Sequence, residues 1–294
     1  MLPSPVDSVT FRGKKFHVKR DDLIDTCLSG NKYRKLYTLL QTPSSKYTKV
    51  ISYGGAQSNA MYSLSCLCKK KGWEFHYYTK TLPQFLKDGV EGNLELALAN
   101  DMKLYEVDHV DFNAKVQELT DNDEKRVLLV SQGAADALAK EGIILLAQEI
   151  NTWKEEQGLS HLNVVLPSGT GTTALYLKEG LDKEVDLYTS VLVGDVAYQR
   201  LQWEKLSSGP YPHVFEQEQK KKFAKPYPEY LEMHEELRKA TDIEFDLIYA
   251  PRTWIQMLEN FNEVDGNILY IHTGGVSGNE TMLQRYAHMK RVKR

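Results

Sequence analysis

The sequence predicts an α/β fold in which mainly parallel strands are joined by crossover helices. Along most of the chain, short β-rich runs alternate with longer amphipathic segments, which is the pattern of such folds. The chain has 294 residues, about twice the usual size of one domain, so one large α/β unit and two lobes are both open. Hydrophobic residues make up 41% and charged residues 26% of the chain, which indicates a packed globular protein.

The first half of the chain predicts one compact lobe of four parallel strands. Its β-rich runs are bounded by turn residues and are separated by segments that have the apolar spacing of a helix. We expect strands at 49–53, 74–79, 102–107 and 127–131, with helices at 59–71 and 92–100.

The second half predicts another α/β series that is interrupted by a surface excursion. The region 199–238 is charged and contains four prolines and the lysine run 220–222. We expect one helix in this excursion, and a nucleic-acid patch is the lesser alternative. The chain is expected to finish in a basic, solvated helix at 286–294. Around the excursion, the pattern predicts helices at 134–156 and 172–180 and strands at 163–167, 187–193 and 268–272.

The charge balance and the apolar runs exclude several classes of partner. The chain has 37 Lys and Arg residues against 40 Asp and Glu residues, a formal net charge of −3, so it has no general attraction to nucleic acid or to anionic membranes. No apolar run is long enough to span a bilayer, and the first residues lack the basic segment and apolar core of a signal peptide. We therefore expect a cytoplasmic protein with no nucleic-acid partner and no membrane partner.

The cysteines and histidines give no sign of a disulfide framework or a metal site. Cys27, Cys66 and Cys68 are too few for a framework, and the last two lack the gap of redox and zinc motifs. The spacing of Cys66 and Cys68 fits a helix interior, so we predict buried free thiols. The eight histidines contain no pair at metal-ligand spacing, which disfavours a metal enzyme.

A first candidate site combines the segments KRDDL and SGNKYRKL near the start of the chain. Gly30 and Asn31 are turn and cap residues, so Lys32 is expected in the first turn of a helix. Lys32, Arg34 and Lys35 crowd a helix end that favours acidic side chains. From this segment alone, solvated cations are the favoured explanation. The alternative is an anionic ligand, with nearby positive charge lowering the pKa of Lys32 and making it a better nucleophile towards an aldehyde.

A second candidate follows the strand predicted at 49–53, in the segment GGAQSN. Its paired glycines let the backbone approach a ligand closely. Ser58 and Asn59 at the following helix start offer groups that suit a carboxylate or a phenolic oxygen. An ordinary capped helix behind a tight turn explains this segment as well as a ligand-binding turn does.

The third candidate, LPSGTGTTAL, also runs from a strand through a glycine-rich turn into a helix. Backbone N–H groups, hydroxyl donors and the helix dipole suit one phosphate group. The segment lacks the Gly-Lys-Ser/Thr ending of a nucleoside-triphosphate loop and the third glycine of the dinucleotide fingerprint. A single phosphate is therefore the expected ligand.

The fourth candidate is the segment ILYIHTGG, in which a strand ends at a hydroxyl and a glycine turn. Ligands of open parallel sheets gather outside the carboxyl ends of the strands. We therefore expect the four strand-end turns to face one cleft.

Taken in order, these motifs resemble the pyridoxal-phosphate (PLP) enzymes of the tryptophan synthase β fold type. The similar group is that of 1-aminocyclopropane-1-carboxylate (ACC) deaminase and D-cysteine desulfhydrase. The resemblance implies a PLP cofactor, two three-layer α/β/α lobes with mainly parallel sheets, and a homodimer. It implies a small domain at 45–132 inserted into a large cofactor-binding domain at 1–44 and 133–294. The matching pieces are KRDDL, SGNKYRKL, SYGGAQSNAM, SQGAADALAKEGIILLAQEI, LPSGTGTTAL, FDLIYAPRT and ILYIHTGG.

The resemblance also implies which residues bind the cofactor. Lys32 corresponds to the lysine that holds the cofactor as a Schiff base. Asn59 corresponds to the residue that hydrogen-bonds the ring oxygen, and Thr273 to the partner of the pyridine nitrogen. The implied cofactor-binding set is Asn31, Lys32, Lys35, Asn59, Ser168, Gly169, Thr170, Gly171, Thr172 and Thr273.

On the substrate side, the resemblance implies Lys32, Ser58 and Tyr249 as the catalytic residues. Ser58, tuned by Tyr249, is the candidate acid/base or nucleophile, and Lys32 is the other proton carrier. The implied substrate-binding set is Gln57, Ser58, Asn59, Tyr249 and Tyr270.

Two departures from the family pattern bear on the substrate. Ala60 stands where relatives usually carry His or another polar residue, and Pro251-Arg252 replaces the usual Gly-Lys or Pro-Lys. We expect a PLP-dependent lyase or deaminase for a small amino acid, with D-cysteine desulfhydrase-like β-elimination giving keto acid, ammonia and sulfide. The alternatives are an ACC deaminase and a non-catalytic PLP-binding relative. A phosphate-binding α/β protein unrelated to PLP would require the lysine and tyrosine matches to be accidents.

Overall fold

The computed structural model describes residues 3–28, 30–89, 91–121, 124–216, 221–260 and 267–292. Within these ranges the strands form a six-stranded and a four-stranded sheet. In chain order the strands are β1 (Val6–Phe11), β2 (Lys14–Lys19), β3 (Lys49–Tyr53), β4 (Glu74–Lys80), β5 (Lys103–Val107), β6 (Val127–Val130), β7 (Leu162–Ser168), β8 (Val185–Val191), β9 (His213–Val214) and β10 (Ile268–Ile271). The helices are α1 (Asn31–Lys35), α2 (Tyr37–Gln41), α3 (Asn59–Lys71), α4 (Gln84–Asp88), α5 (Asn93–Leu98), α6 (Phe112–Thr120), α7 (Lys140–Glu156), α8 (Thr172–Gly180), α9 (Val196–Glu204), α10 (Pro228–Thr241), α11 (Ala250–Glu259) and α12 (Asn279–Val292).

The two sheets are mainly parallel, as predicted. The larger sheet has the order β1-β2-β10-β7-β8-β9, and the smaller has the order β5-β4-β3-β6. In the larger sheet β1 and β2 pair antiparallel, and the other pairs in both sheets are parallel. The α/β fold class is therefore confirmed. The strands of the smaller sheet lie inside the predicted small domain at 45–132, and the exact domain boundaries stay a prediction.

Helices cover both faces of the six-stranded sheet. Every residue of β7 is buried, which is expected of a central parallel strand. Val164 on β7 packs with α7 and α8 in one apolar cluster, whereas its neighbour Val165 packs with α10 and α11 in another. Because successive side chains of a strand point to opposite faces, these clusters are the two interfaces of a three-layer arrangement.

Several predicted elements are confirmed, and their ends have local causes. Helix α3 begins after Ser58, whose Oγ accepts hydrogen bonds from two backbone N–H groups, and it ends at Gly72, which adopts a φ of 70°. Helix α8 and strand β3 also have the predicted bounds.

The long helix predicted at 134–156 is shorter than expected, because α7 begins at Lys140. Gly133 and Ala134 adopt φ values of 72° and 52°, which no α-helix accommodates. The Asp136 carboxylate accepts hydrogen bonds from the backbone N–H and the hydroxyl of Ser131, at 3.1 and 2.6 Å. This side-chain-stabilised turn delays the start of the helix.

The prediction of one helix in a surface excursion at 199–238 is wrong. The structure places both α9 and α10 in or across this region, and Gln199 and Trp203 of α9 are buried. Lys220 lies outside the described residues. The last helix begins at Asn279 rather than at 286, and residues 293–294 also lie outside the described ranges.

The sequence pattern also missed β1 and β2. They form a hairpin around Arg12 and Gly13, whose φ values of 46° and 76° are those of a tight hairpin turn. The charged residues Lys14 and Lys15 at the turn obscured the alternation that ends in buried Phe16 and Val18. Helices α6 and α11 were not predicted either.

The prediction of buried free thiols at Cys66 and Cys68 is wrong for Cys66. Cys27 and Cys66 form a disulfide, with their Cα atoms 6.1 Å apart, while Cys68 is free and buried as predicted. Cys66 does lie in the helix interior, but the chain segment before α1 packs against α3 and brings Cys27 to it. Pairing over a separation of 39 residues depends on this tertiary contact and is not visible in the spacing of the cysteines.

A buried charge cluster holds α1 against α7 and the segment after β2. The guanidinium of Arg34, which has no exposed surface, contacts Asp21 at 2.8 Å and Glu149 at 2.7 Å. Lys19 reaches Glu149 at 2.7 Å. Separating one partner from such a cluster leaves an uncompensated buried charge. The cluster therefore opposes any movement of α1 away from α7 and from the segment after β2.

We expect Arg34→Met to lower the free energy of unfolding by about 3–5 kcal/mol, because it leaves the buried Asp21 carboxylate without its cationic partner. The control is Arg12→Met, which breaks an ion pair with Glu236 whose side chains are 50% and 44% exposed. That change should cost less than about 1 kcal/mol. Urea unfolding followed by circular dichroism measures both, and equal losses would contradict a dominant role for the buried cluster.

Candidate active site

A cleft of about 1480 Å³ brings the four sequence motifs together. It is lined by the turns that follow β3, β7 and β10 and by the start of α1. The carboxyl ends of parallel strands are the usual place for ligands in such folds. The predicted site residues that line the cleft are Asn31, Lys32, Lys35, Gln57, Ser58, Asn59, Ser168, Gly169, Thr170, Gly171, Thr172, Tyr249 and Thr273.

Helix α1 is seated directly on the end of β10. The backbone N–H of Asn31 donates to the carbonyl oxygen of Thr273 at 3.1 Å. Gly30 adopts a φ of 63°, and a Cβ atom there would overlap the Thr273 carbonyl. Only glycine fits this approach, and it places Lys32 at the cleft wall.

The amine of Lys32 is tuned by burial. It donates to Oδ1 of Asn31 at 3.0 Å. Burial lowers the pKa of Lys32 from 10.5 to about 8, although the charge of Asp246 acts in the opposite direction. A large fraction of the amine is therefore neutral near pH 8, and a neutral amine is the nucleophilic form.

Lys35 lies on the same short helix and faces the glycine-rich turn after β7. Its Nζ donates to the Gly133 carbonyl at 3.1 Å and to Oγ1 of Thr170 at 3.2 Å, and both acceptors are neutral. Burial and the nearby charge of Lys32 lower the pKa of Lys35 well below its ordinary value. An anion in this turn would favour the charged form of the amine.

The turn itself is held from behind by α9. The side chain of Gln199 donates to the Thr170 carbonyl at 2.9 Å, and the Trp203 indole donates to the Gly171 carbonyl at 3.0 Å. Gly171 has a φ of 73°, and a Cβ atom there would collide with Gln199. These bonds hold the carbonyls of the turn. The first N–H groups of α8 have no partner inside the helix, so they are available to a ligand.

Sequence reasoning missed Gln199 and Trp203 because they lie in the region predicted as a surface excursion. The signal that could have found them is their spacing of four residues, which places both on one helix face. A further polar atom, Oγ1 of Thr173, is buried at the cleft and has no hydrogen-bond partner among the described contacts. It is a candidate donor to an anion in the same turn.

The start of α3 supplies two polar side chains. Oγ of Ser58 accepts from the N–H groups of Ala60 and Met61 at 3.2 and 3.3 Å, which leaves its hydroxyl hydrogen to donate. Oδ1 of Asn59 accepts from Nδ2 of Asn93 at 2.7 Å. Nε2 of Gln57 donates one of its two hydrogens to the Glu91 carbonyl at 2.8 Å, and its Oε1 is buried without a hydrogen-bond partner among the described contacts.

Tyr249 stands at the start of α11 beside the glycine-rich turn. A Cβ atom at Gly169 would lie 3.5 Å from its hydroxyl oxygen, and the ring of Phe223 packs against it at 5.4 Å. Burial and the charge of Asp246 raise the pKa of Tyr249, so its phenol stays protonated near neutral pH. The predicted tuning of Ser58 by Tyr249 stays a prediction, because the described hydrogen bonds do not include one between them.

Thr273 and Tyr270 have different surroundings although both belong to the ILYIHTGG motif. Thr273 lines the cleft, and the next N–H, that of Gly274, donates to Nδ1 of His272 at 3.1 Å. The other ring nitrogen of His272 then carries the hydrogen and donates to the Glu244 carbonyl at 2.8 Å. Tyr270 differs from the expectation for a substrate-binding residue, because it is buried in the core against aromatic rings and is not among the residues that line the cleft.

Comparison with other proteins identifies relatives over nearly the whole chain. The chain is 25% identical to a Thermotoga maritima protein provisionally named 1-aminocyclopropane-1-carboxylate deaminase, across 95% of each chain. It is 26% identical to a D-cysteine desulfhydrase of Salmonella paratyphi A, across 93% of this chain and 92% of the relative. The resemblance to the ACC deaminase and D-cysteine desulfhydrase group is confirmed. A third relative is an Arabidopsis thaliana protein named bifunctional D-cysteine desulfhydrase/1-aminocyclopropane-1-carboxylate deaminase, mitochondrial, at 24% identity across 94% of this chain and 77% of the relative.

Solved structures agree with this relationship at the level of the fold. A crystal structure of an ACC deaminase homologue has a TM-score of 0.76 at 19% identity, across 96% of this chain and 93% of that chain. A hydrogen sulfide-producing enzyme from Fusobacterium nucleatum has a TM-score of 0.63 at 12% identity, across 93% of this chain and 95% of that chain. The tryptophan synthase β-like fold is thus confirmed. No protein-family model matches the chain.

Within the described ranges, none of the helices is both long and apolar enough to cross a membrane. None of the groups of His, Cys, Asp and Glu side chains in those ranges could hold a metal ion.

We expect Lys32 to react with acetic anhydride in its neutral form with a pH midpoint near 8, because burial lowers the pKa of Lys32 to about 8. Lys103 is the internal control, since its ion pair with Glu74 raises its pKa and keeps it protonated to higher pH. Competitive labelling followed by mass spectrometry of the peptides gives both midpoints in one sample. A midpoint for Lys32 that is no lower than that of Lys103 would show that the cleft does not activate this amine.

Proposed function

We propose that the protein is a PLP-dependent lyase or deaminase that acts on a small amino acid. The first choice is D-cysteine desulfhydrase-like β-elimination, which gives keto acid, ammonia and sulfide. One observation carries the proposal. The Lys32 amine, whose pKa is lowered to about 8, lies in the same cleft as the glycine-rich turn at 168–172, whose N–H and hydroxyl groups suit one phosphate. The names of the Salmonella and Arabidopsis relatives support the choice of reaction.

The residues of the cleft fit each polar group of PLP. The phosphate fits the turn at 168–172. There the Lys35 amine donates to two neutral acceptors and would gain an anionic one, and the buried hydroxyl of Thr173 has no described partner. The Lys32 amine is the group that would condense with the aldehyde. We assign the ring oxygen to Asn59 and the pyridine nitrogen to Thr273, both of which line the cleft. When bound, PLP supplies a ring that withdraws electrons from the α-carbon of the substrate.

The chain's own residues then bind the substrate and move its protons. The Lys32 amine would hold the aldehyde group of the cofactor, and when it is free it would take the α-proton of the substrate. With a pKa near 8, this amine both accepts and releases a proton near neutral pH. The phenol of Tyr249 stays protonated near neutral pH, so it would act as a hydrogen-bond donor or an acid and not as a base. The Ser58 hydroxyl, which accepts hydrogen bonds from two backbone N–H groups, would be the second acid/base or the nucleophile.

Thr273 is the residue that we assign to the pyridine nitrogen. A hydroxyl at this position would not hold a positive charge on that nitrogen as a carboxylate would, which would favour elimination over transamination. This assignment supports a lyase rather than an aminotransferase.

We expect PLP to give the protein a visible absorption band and to be fixed to Lys32 by borohydride reduction. Lys32→Ala should lose the fixed group. Lys35→Ala should keep the attachment at Lys32 but bind PLP about 10- to 100-fold more weakly, because it removes a charge-assisted contact to the phosphate. Absorption titration and peptide mapping by mass spectrometry measure the two effects.

The wild-type protein treated with borohydride in the absence of PLP is the control for this experiment. Attachment at a lysine other than Lys32, or a Lys32→Ala protein that retains the band and the fixed group, would overturn the assignment. Equal PLP affinity of Lys35→Ala and wild type would remove Lys35 from the phosphate site and leave the role of Lys32 standing.

We expect sulfide, keto acid and ammonia from D-cysteine when D- and L-amino acids and ACC are tested as substrates. Ser58→Ala and Tyr249→Phe should each lower kcat by about 10²- to 10⁴-fold, the usual contribution of a positioned acid or base. Tyr198→Phe is a matched control, because Tyr198 lines the cleft but its side chain is 48% exposed. Steady-state kinetics with sulfide and ammonia detection measure the rates.

Other outcomes of the same panel distinguish the alternatives. ACC deamination without sulfide release would favour the second candidate function, which is supported by the names of the Thermotoga and Arabidopsis relatives. PLP binding without turnover of any substrate would favour a non-catalytic PLP-binding relative. Full activity of the Ser58→Ala protein would contradict the role proposed for this hydroxyl.

A homodimer and a cytoplasmic location remain parts of the proposal. The homodimer is supported by the family resemblance, and sedimentation equilibrium of the protein with PLP measures it. Cell fractionation tests the location, since the Arabidopsis relative is named as mitochondrial.

A further inference from the structure

Asn93, the first residue of α5, has no exposed surface and connects both sides of the cleft. Its Nδ2 donates to the Gln57 carbonyl at 3.1 Å and to Oδ1 of Asn59 at 2.7 Å. Its Oδ1 accepts from the Ser277 hydroxyl at 2.7 Å. Asn59 and Asn93 belong to elements beside the four-stranded sheet, whereas Ser277 follows β10 of the six-stranded sheet.

These contacts fix which atom of each amide faces which partner. A backbone carbonyl only accepts hydrogen bonds, so the Asn93 atom that faces the Gln57 carbonyl must be Nδ2. The second hydrogen of Nδ2 points to Asn59, and the Asn59 atom that receives it must be Oδ1. The remaining polar atom of Asn59 is therefore its Nδ2, a donor that is left for the cleft.

Two glycines, Gly92 and Gly275, allow the chain to pack closely around this group of amides. Gly92 adopts a φ of 67°, and a Cβ atom there would come within 2.5 Å of Thr281 and 3.0 Å of Gln57. On the other side, a Cβ atom at Gly275 would come within 2.6 Å of Nδ2 of Asn59. Glycine at both positions permits this close packing, in which the backbone at Gly275 lies against the Asn59 amide.

We propose that Asn93 is a positioning residue that orients the Asn59 amide so that its Nδ2 donates to the ring oxygen of the bound cofactor. This inference rests on the proposed function, because it assumes that PLP is the ligand of the cleft. Asn93 does not line the cleft itself, so it acts through Asn59. Its bond to Ser277 also ties this orientation to the opposite side of the cleft.

The test compares PLP affinity in Asn93→Asp, Asn59→Ala and the double variant. Asn93→Asp keeps the size of the side chain and an acceptor for Ser277, but it cannot donate to Oδ1 of Asn59. The Asn59 amide should then turn its Nδ2 towards the new carboxylate and away from the cofactor. We expect about tenfold weaker PLP binding, the usual cost of one such hydrogen bond.

The double variant separates positioning from a general structural effect. If Asn93 acts through Asn59, then Asn93→Asp combined with Asn59→Ala binds PLP no more weakly than Asn59→Ala alone. If the two losses multiply, Asn93 does not act through Asn59 and the proposal is wrong. Asn93→Ala provides the same comparison without a new charge and replaces Asn93→Asp if that variant does not fold.

A second readout is the pH dependence of the absorption of the bound cofactor. A donor to the ring oxygen stabilises the ionised form of that oxygen. Losing the donor should shift the pH midpoint of the absorption change upwards in Asn93→Asp and in Asn59→Ala. An unchanged midpoint in Asn93→Asp together with a shifted midpoint in Asn59→Ala would overturn the proposal.

The matched control is Asn100→Ala, which removes a half-buried amide just beyond the other end of α5. Nδ2 of Asn100 donates to Ser65 and Cys66, away from the cleft. This variant should lower the urea midpoint of the protein without PLP and leave PLP affinity unchanged. Weakened PLP binding in Asn100→Ala equal to that in Asn93→Asp would indicate a general structural effect.

Failure of this inference can be told apart from failure of the proposed function. If the wild-type protein does not bind PLP, the proposed function fails. If wild type binds PLP and Asn59→Ala weakens the binding, but the Asn93 variants bind as wild type does, the role of Asn93 alone fails.

Discussion

The seating of α1 on the end of β10 is the contact on which the whole candidate site depends. Gly30 lets the two backbones meet, and the N–H of Asn31 donates to the Thr273 carbonyl. On the far side of the helix, the guanidinium of Arg34 is locked to two buried carboxylates. A helix of five residues has little stability of its own, so these two anchors determine where the Lys32 amine stands. They also bring Lys35 to the turn after β7.

The polar groups of the cleft are positioned by residues outside it. Gln199 and Trp203 bind the carbonyls of the glycine-rich turn after β7, His272 binds the turn after β10, and Asn93 binds Asn59. These supporting side chains come from three separate parts of the chain, namely α9, the residue after β10 and the start of α5. Groups held in this way do not have to reorganise when a ligand arrives, which is the basis of preorganised binding.

Local sequence signals predicted the elements that carry the site, because those elements begin and end for local reasons. Ser58 caps α3 and Gly72 ends it, so its bounds could be read from the sequence. The glycine-rich turns after β3, β7 and β10 were recognised in the same way. The burial of Tyr270 and the Cys27–Cys66 disulfide depend on contacts between distant segments. Such contacts leave no periodic trace along the chain, so they could not be predicted. The buried face of α9 left only the four-residue spacing of Gln199 and Trp203, and the charges and prolines around it hid that signal.

The edges of the six-stranded sheet limit how two copies of the chain can associate. Open strand edges pair readily with other chains. Here one edge is β1, the outer strand of an antiparallel hairpin with charged residues at its turn, and the other is β9, which has two residues. Neither edge offers a long, flat row of backbone groups to another copy. The larger sheet is therefore poorly suited to being extended from one subunit to the next.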